Sequence, residues 1–491
     1  MHTIDIIIFI IYLLGVIFFG VSFYQKERTS EDYSTGSGKL PAWVIGLSIF
    51  ATFVSSISFL ALPGAAFLSN WNPFVFSLSI PVAIFMAIKF FIPLYRKVGS
   101  PSAYTFLEER FGPWAKNYVA SFWLLTQIMR VAVILYLLAL PMNIILDWDM
   151  RFIIIFTGLS VMVYSTLGGI KAVIWTDAIQ AIILISGAVV TFGIIMFSLP
   201  EGPVQYFEVA SEHNKFSLGN FGLSLTDSTF WMVFFYGIFI NLQNYGIDQN
   251  YIQRYMSARN DKEAISSAFG GGLLYIPVSL LFFMIGTGLF VYYNVYPDLL
   301  PANFREVGMS DSVFPYFIVN GLPAGITGLL IASIFAAGMS TISTSLNSGA
   351  TVILSDFYKR YTKRQISEKE SVKVLYIASA VICILGVMIS FYIIRVESAL
   401  DIWWNLAGIF SGGMLGLFLL GYFSKKVTNA PAMIGVALGL LVIIWMTLSP
   451  SYFSGALEEF QNPFHNYLTI VVGTLVIFLS GFLLSLLGNK K

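Results

Sequence analysis

The sequence predicts an all-α membrane protein that crosses the bilayer many times. Of its 491 residues, 57% are hydrophobic and only 11% are charged, and the mean hydropathy is +0.80. A chain of this composition must bury its own backbone polar groups in lipid, and helices do so. The composition therefore excludes a soluble protein.

Apolar runs of about 20 residues, the length of one helical crossing, recur along the whole chain. We count thirteen, near residues 4–23, 42–65, 72–95, 117–146, 150–167, 172–199, 229–252, 266–293, 323–355, 374–395, 401–422, 429–449 and 464–487. The first run has His2 and Asp5 where a signal peptide would have a basic cluster, and no small-residue cleavage site follows it. We expect it to be the first membrane helix.

Basic residues are distributed unequally between alternate loops. With the N-terminus outside, the inner segments hold 21 lysines and arginines, and the outer segments hold only Arg151, Lys215, Arg305 and Arg395. Because positively charged loops stay in the cytoplasm, we expect the N-terminus outside and the C-terminus inside the cell membrane.

The ninth apolar run contains six hydroxyl side chains in the nine residues 340–348. On a helix, Ser340, Ser343, Thr344 and Asn347 share one face. A dense oxygen face inside a membrane suits a desolvated cation. The alternative is helix packing, since small hydroxylic residues also let membrane helices approach one another.

Arg130 lies about 13 residues into its apolar run, close to the midplane of the bilayer. A mid-span arginine costs roughly 2.5–3.5 kcal/mol in lipid, so it must face a cavity or a partner. We expect no carboxylate at matching depth in the apolar runs, which favours an anchor for an anionic substrate over a structural ion pair.

Asp177 begins the sixth run, about 9 Å above Lys171. One interpretation is a salt bridge to Lys171 or to another base of the inner loops. The other is a cation site, because the hydroxyls of Ser343 and Thr344 are predicted to lie at a similar depth.

Polar residues interrupt two further runs near the midplane, around Ser55 in the second run and around Asn241 in the seventh. Transporters built from inverted repeats use discontinuous helices in corresponding positions, and these two runs are five helices apart. The alternative is simple hydrogen bonding to neighbouring helices. Asp248, further along, is predicted to cap a helix or to pair with Arg254.

Other functional classes find little support in the sequence. Cys383 is the single cysteine, and the three histidines fall at the N-terminus or in loops. We therefore expect a protein without a disulfide, a cofactor or a nucleic-acid partner. We do not expect an enzyme, because the sequence places no catalytic constellation at one depth. A sensor would need a long cytoplasmic output domain, and only four residues follow Leu487.

Three blocks, 40–58, 168–180 and 334–348, resemble the sodium/solute symporter family, and the likeness extends over essentially the whole chain. The mid-span Arg130 is similar to that of its bacterial sodium/sialic acid branch. The chain departs from that branch at Phe53 and Ser77, where a hydroxyl and a glutamine are expected. The resemblance implies a leucine-transporter-type fold over 1–491, with an extra helix at 4–23, inverted repeats at 42–199 and 229–422, and two C-terminal helices at 429–487.

The resemblance also implies site residues. A first sodium ion would bind the backbone oxygens of Ala51, Val54 and Ala337 and the hydroxyls of Ser340 and Thr341. A second would bind Asp177, Ser340, Ser343 and Thr344. Arg130 would bind a substrate carboxylate, and the remaining substrate contacts would come from Ser55, Ser58, Ser77 and Asn241.

The implied function is sodium-driven uptake of a carboxylated sugar, sialic acid in that branch, by a monomer. The alternatives are symport of a monocarboxylate, an amino acid such as proline, or a sugar. A sodium-gated sensor or channel is a further alternative. The expected partners are sodium, a small anionic substrate and the lipid bilayer.

Overall fold

A computed structural model describes residues 2–146, 148–305, 307–362, 364–394 and 412–488, and the regular elements in these ranges are all helices. In chain order they are α1 (Thr3–Val21), α2 (Ser30–Thr35), α3 (Ala42–Phe53), α4 (Ser56–Leu68), α5 (Asn72–Val98), α6 (Thr105–Phe111), α7 (Pro113–Leu146), α8 (Met150–Phe197), α9 (Pro203–Glu212), α10 (Phe230–Ile247), α11 (Gln249–Met256), α12 (Asp261–Val295), α13 (Val313–Asn320), α14 (Ile326–Val352), α15 (Glu368–Ile393), α16 (Gly412–Phe423), α17 (Asn429–Tyr452) and α18 (Leu468–Gly488). The all-α fold class is confirmed.

Nine helices of the described ranges are long and apolar enough to cross a membrane, and the bent pair α3 and α4 makes a tenth candidate. The predicted run at 401–422 lies partly outside the described residues. Helix α8 covers the two predicted runs 150–167 and 172–199. The count of thirteen crossings stays a prediction.

Helix α8 contains 48 residues, which would extend about 72 Å if straight, more than twice the thickness of a bilayer core. Its helical path is interrupted at Gly169, where φ is +60° and ψ is −161°. Only glycine adopts this conformation readily, and an added Cβ would also lie 2.9 Å from a guanidinium nitrogen of Arg28. The chain therefore changes direction between the two predicted runs.

Helix α14, which carries the hydroxyl-rich stretch, is the central helix of the bundle. In its apolar window, 89% of the residues are buried. The Asp5 carboxylate of α1 accepts hydrogen bonds from the backbone N–H groups of Gly325 and Gly328, at 2.6 and 3.0 Å. A carboxylate at a helix N-terminus satisfies otherwise unpaired N–H groups and complements the helix dipole. Helix α1 thus fixes the start of α14.

Two breaks lie in the second and seventh predicted runs, as the polar interruptions suggested. Helices α3 and α4 are bent by 56° around Val54 and Ser55. Helices α10 and α11 are separated by Asp248, whose backbone is extended (φ −77°, ψ 126°). The Asp248 side chain accepts a hydrogen bond from the N–H of Asn250 at 2.7 Å, so its predicted capping role is confirmed.

Candidate functional site

The break between α3 and α4 places backbone carbonyls of one helix next to backbone N–H groups of the other. Helix α3 ends at Phe53 and Val54 adopts an extended conformation. Helix α4 starts at Ser56, and the Ser55 hydroxyl accepts a hydrogen bond from the N–H of Ser58. The last carbonyls of a helix and the first N–H groups of the next lack partners within their helices. The break therefore offers oxygens to a cation and N–H groups to an anion.

Buried hydroxyls of α14 face the C-terminal end of α3. The Ser340 hydroxyl lies 3.1 Å from the carbonyl oxygen of Ala51 and 3.0 Å from that of Ala337. The Thr341 hydroxyl also contacts the Ala337 carbonyl, at 3.1 Å. Four of the five residues expected to hold the first sodium ion are thereby brought together, and Val54 lies at the break, three residues after Ala51. These oxygens are the type of ligand that a hard cation prefers.

Asp177 lies beside the same helix, and its partner in the structure is a guanidinium. The Arg254 Nη2 group donates to Asp177 Oδ2 at 2.8 Å and to the Thr344 hydroxyl at 2.6 Å. The Ser48 hydroxyl donates to the same carboxylate oxygen at 2.6 Å. The side chains of Arg254 and Asp177 are both 0% exposed. Of the two interpretations, the structure thus forms the ion pair with an inner-loop base.

Lys171, the first base that we considered for Asp177, pairs with Asp32 instead. Ser343 lies next to the ion pair and donates its hydroxyl to the Ser340 carbonyl at 3.1 Å. The four residues expected to hold a second sodium ion are therefore on facing helices, but the Arg254 guanidinium binds two of them. Asp177 Oδ1 is buried and has no hydrogen-bond partner within the described part of the chain.

Arg130 lines a cavity of about 310 Å³ next to the α3–α4 break. Its Nη2 group donates to the carbonyl oxygen of Thr52 at 3.1 Å. Ser55 and Ser58 line the same cavity. Three of the five residues expected to bind substrate thus share one space, which is enclosed by both polar and aromatic side chains.

Ser77 and Asn241 are absent from the described lining of this cavity. The Ser77 hydroxyl pairs with that of Ser279 at 2.8 Å. The Asn241 amide donates to the hydroxyl of Ser79 at 3.0 Å and to the carbonyl of Phe76 at 3.3 Å. Both residues are buried outside the described cavity lining, and their contacts with substrate stay a prediction.

A carboxylate also lines the cavity, and here our expectation for Arg130 was wrong. Asp248 borders the same space and interacts electrostatically with Arg130. We had placed Asp248 near the inner end of the seventh run. Because the helix stops at Ile247 and restarts at Gln249, the carboxylate is held at the cavity wall instead.

Aromatic rings form another part of the wall. Phe53 stacks on Tyr245, with ring centres 5.4 Å apart and planes 7° from parallel. It also meets Tyr275 edge to face, with centres 4.4 Å apart. Phe76 and Tyr236 continue this surface, with their ring centres 5.9 Å apart. The cavity therefore combines a charged end with an aromatic wall, an arrangement typical of small-molecule sites.

The sequence analysis did not identify several cavity residues. Gln127, Gln243 and Asn244 add amide groups to the lining. The polar stretch 241–250 was the signal for the last two and for Asp248, but the sequence could not tell which of its side chains face the cavity. Arg254 was counted as an inner-loop base and as a possible partner of Asp248, but it pairs with Asp177.

Comparison with known proteins gives consistent matches. The model of the "Sodium:solute symporter family" matches residues 33–439. A sodium/sialic acid symporter of Proteus mirabilis is 35% identical over 438 residues, covering 88% of this chain and 87% of that protein. One of Aliivibrio fischeri is 32% identical over 489 residues, covering 98% and 92%. A solved Na⁺-coupled sialic acid symporter, described as substrate-bound and outward-open with a novel Na⁺ site, shares 31% identity and a TM-score of 0.91 over 99% of this chain and 98% of its own.

These matches confirm the resemblance drawn from the three sequence blocks. They also confirm that the protein is a multi-pass membrane transporter and not an enzyme, because the family consists of symporters. The family model covers most of the chain, from α2 to α17. The chain belongs to the sodium:solute symporter family.

Proposed function

We propose that this protein couples the inward movement of sodium to the uptake of sialic acid. The observation that carries the proposal is the position of Arg130, a cation in a cavity at the break of α3 and α4. On the other side of that break, the Ala51 carbonyl accepts a hydrogen bond from the Ser340 hydroxyl of α14, next to the Thr341 hydroxyl and the Ala337 carbonyl of the same helix. The names of the two relatives and of the solved neighbour support the choice of substrate.

The coupling would follow from the shared break. A sodium ion held by Ala51, Val54, Ala337, Ser340 and Thr341 would tie α3 to α14. Substrate bound by Arg130, Ser55 and Ser58 would contact the other side of the same break. Each ligand would then raise the affinity of the other by the same factor, because coupling between sites is reciprocal. Each sodium ion moving inward down 100 mV supplies roughly 2.3 kcal/mol for accumulation.

The topology belongs to the same proposal. We place inverted repeats at 42–199 and 229–422, about 13 crossings, the N-terminus outside and the C-terminus inside. The two broken helices, α3–α4 and α10–α11, are the features that support paired repeats, because discontinuous helices occupy corresponding positions in such folds. The loop charges support the orientation. The functional unit would be a monomer.

The test is uptake of radiolabelled sialic acid into proteoliposomes with an inward sodium gradient, compared with an equal potassium gradient. We expect concentrative uptake only with sodium, competed by unlabelled sialic acid and not by lactate, proline or glucose. Ser340→Ala should raise the half-saturating sodium concentration about tenfold, because the ion would lose one polar ligand. Ser333→Ala, at another buried serine of α14, is the matched control and should leave it unchanged.

Three results would contradict the proposal in different ways. Equal uptake in potassium would remove sodium coupling. Stronger competition by lactate, proline or glucose would assign the site to that substrate class. Sodium binding without any accumulation of a panel substrate would favour the sensor or channel alternative.

A further inference from the structure

Arg254 holds the oxygens that a second sodium ion would need. We infer that Arg254 is a tethered cation that competes with sodium for Asp177 and Thr344, and so sets the sodium dependence of transport. The inference rests on the proposed function for its sodium-driven cycle. It assigns a role in ion coupling to a residue that touches neither the substrate cavity nor the first cation site.

The geometry makes guanidinium and sodium mutually exclusive at two oxygens, Asp177 Oδ2 and the Thr344 hydroxyl. The same nitrogen, Nη2, lies 2.8 Å from Asp177 Oδ2 and 2.6 Å from the Thr344 hydroxyl. A hard cation binds such oxygens directly, at about 2.3–2.6 Å for the similarly sized Ca²⁺. No space remains for an ion between a donor and an acceptor that are already in hydrogen-bond contact. Sodium can bind these two oxygens only after the guanidinium has moved away.

Charge leads to the same conclusion. Arg254 and Asp177 form a pair in which both side chains are 0% exposed. One positive and one negative charge compensate each other there, and a second cation would add an uncompensated charge in a site of low dielectric. Removal of the cation without a replacement would leave the carboxylate unpaired, which is equally unfavourable. Exchange of one cation for another keeps the Asp177 carboxylate paired throughout.

The site also contains groups that a purely structural ion pair would leave unexplained. Asp177 Oδ1 is buried without a hydrogen-bond partner in the described residues, so the carboxylate retains a free oxygen for a cation. Asn250 Oδ1 and Gln253 Oε1 are likewise buried without a partner there. Both lie on α11, the helix of Arg254, and Arg254 Nη1 already donates to the Asn250 carbonyl at 2.6 Å. The Asn250 carbonyl can therefore still hold Nη1 when Nη2 leaves Asp177.

The helix that carries Arg254 is short and bounded by non-helical residues. Helix α11 has 8 residues, with extended backbone at Asp248 before it and a β-bridge between Ala258 and Leu40 shortly after it. Such a segment can shift as a unit without unfolding a longer helix. In the transport cycle, sodium would displace Arg254 on binding, and Arg254 would return to Asp177 when sodium leaves. The empty carrier would then never contain an unpaired buried carboxylate.

The experiment compares the sodium dependence of uptake for the wild type, Arg254→Gln and Arg254→Lys in proteoliposomes. Arg254→Gln removes the competing cation and keeps hydrogen-bonding capacity, so we expect the half-saturating sodium concentration to fall about tenfold, the scale of a lost charge-assisted hydrogen bond. Arg254→Lys retains a cation and should give a smaller fall. Arg259→Gln, which removes an arginine that is 56% exposed, is the matched control and should behave as the wild type.

A second measurement covers the case in which Arg254→Gln folds poorly. Thermal unfolding in NaCl and in KCl should show a larger sodium-specific stabilisation for Arg254→Gln than for the wild type. In Asp177→Asn/Arg254→Gln, which removes both charges, that extra stabilisation should disappear. An unchanged sodium dependence in both measurements would overturn the inference and leave Arg254 as a structural partner of Asp177. A wild type without sodium-driven uptake would overturn the proposed function instead, and the unfolding series would still decide the role of Arg254.

Discussion

Arg254 and Arg130 both lie in the interior of the bundle, and the structure holds them in opposite ways. Arg254 is fully buried and donates to Asp177, Thr344, Ser48 and the Asn250 carbonyl. Arg130 is partly exposed to a cavity and donates to the carbonyl of Thr52. One cation is already neutralised by an anion of the chain. The other keeps most of its donors available to a ligand.

The difference indicates which kind of ligand each site can bind. A guanidinium has five N–H donors in a planar fork that matches a carboxylate. The donors of Arg254 are already paired with groups of the chain. Another cation can therefore bind the Asp177 carboxylate only by displacing the guanidinium. At Arg130 the fork faces an open cavity, so an external anion can bind without displacing any side chain. The two settings are the basis of the two proposed roles, ion competition for Arg254 and substrate binding for Arg130.

The largest expected effect comes from removing the available arginine. Arg130→Ala should weaken sialic acid binding by about 100-fold or more, because a buried charge pair typically contributes 2–5 kcal/mol to a complex. Arg130→Lys keeps the charge and loses the bidentate geometry, so we expect a loss of about tenfold. Competition for labelled substrate in proteoliposomes measures both.

The control for Arg130 is sodium-dependent thermal stabilisation, which should be retained in both variants because the first cation site does not include this side chain. Equal losses for alanine and lysine would argue against charge recognition. Unchanged affinity in Arg130→Ala would remove the anchor role and with it the contrast to Arg254.

Asp248 tests whether the cavity recognises more than a carboxylate. Asparagine caps helices as well as aspartate does, so Asp248→Asn should preserve the start of α11. Without the negative charge, a simple monocarboxylate such as lactate should compete better. Sialic acid should bind about tenfold more weakly, because its hydroxyl groups would lose a charged acceptor. A change of both affinities in the same direction would show that Asp248 acts only through its charge on Arg130.

The comparison of the two arginines also shows what a sequence can predict here. Depth along an apolar run was enough to identify Arg130 as a mid-span cation that faces a cavity, although it did not reveal Asp248 in the same cavity, and the polar interruption at Ser55 marked the broken helix. Helical periodicity placed Ser340 and Thr344 on α14 correctly, since both are local features.

The rest depends on contacts between distant segments. Asp177 and Arg254 are 77 residues apart, and depth alone offered Lys171 as an equally good partner. The position of Asp248 depends on where α10 stops, which differs by only a few residues from our boundary. Ser77 has the expected position along α5, but its hydroxyl pairs with Ser279, a contact that no spacing rule identifies.

Lys215 is a further buried cation, and it lies in the loop between α9 and α10. Its ammonium group donates to the backbone carbonyls of Phe67 and Ser69 at 2.7 and 2.9 Å. It also lies 3.8 Å from the centre of the Phe290 ring. These partners carry no formal charge, so they compensate the ammonium less than Asp177 compensates Arg254. Burial accordingly lowers the pKa of Lys215 to about 8.

The smallest expected effect is the pH dependence that this lysine adds to stability. The ordinary pKa of 10.5 applies to the unfolded chain, so between about pH 8 and 10.5 the unfolded state binds a proton that the fold has released. Stability relative to Lys215→Met should therefore rise with pH in that window and stay constant below it. We expect the difference in melting temperature, wild type minus Lys215→Met, to increase by about one or two degrees from pH 7 to pH 10. Lys262→Met, at an exposed position, should show no such trend. A difference that stays constant or falls with pH would mean that the carbonyls and the ring compensate the ammonium fully, and a formal anion would then be unnecessary for a buried cation in this fold.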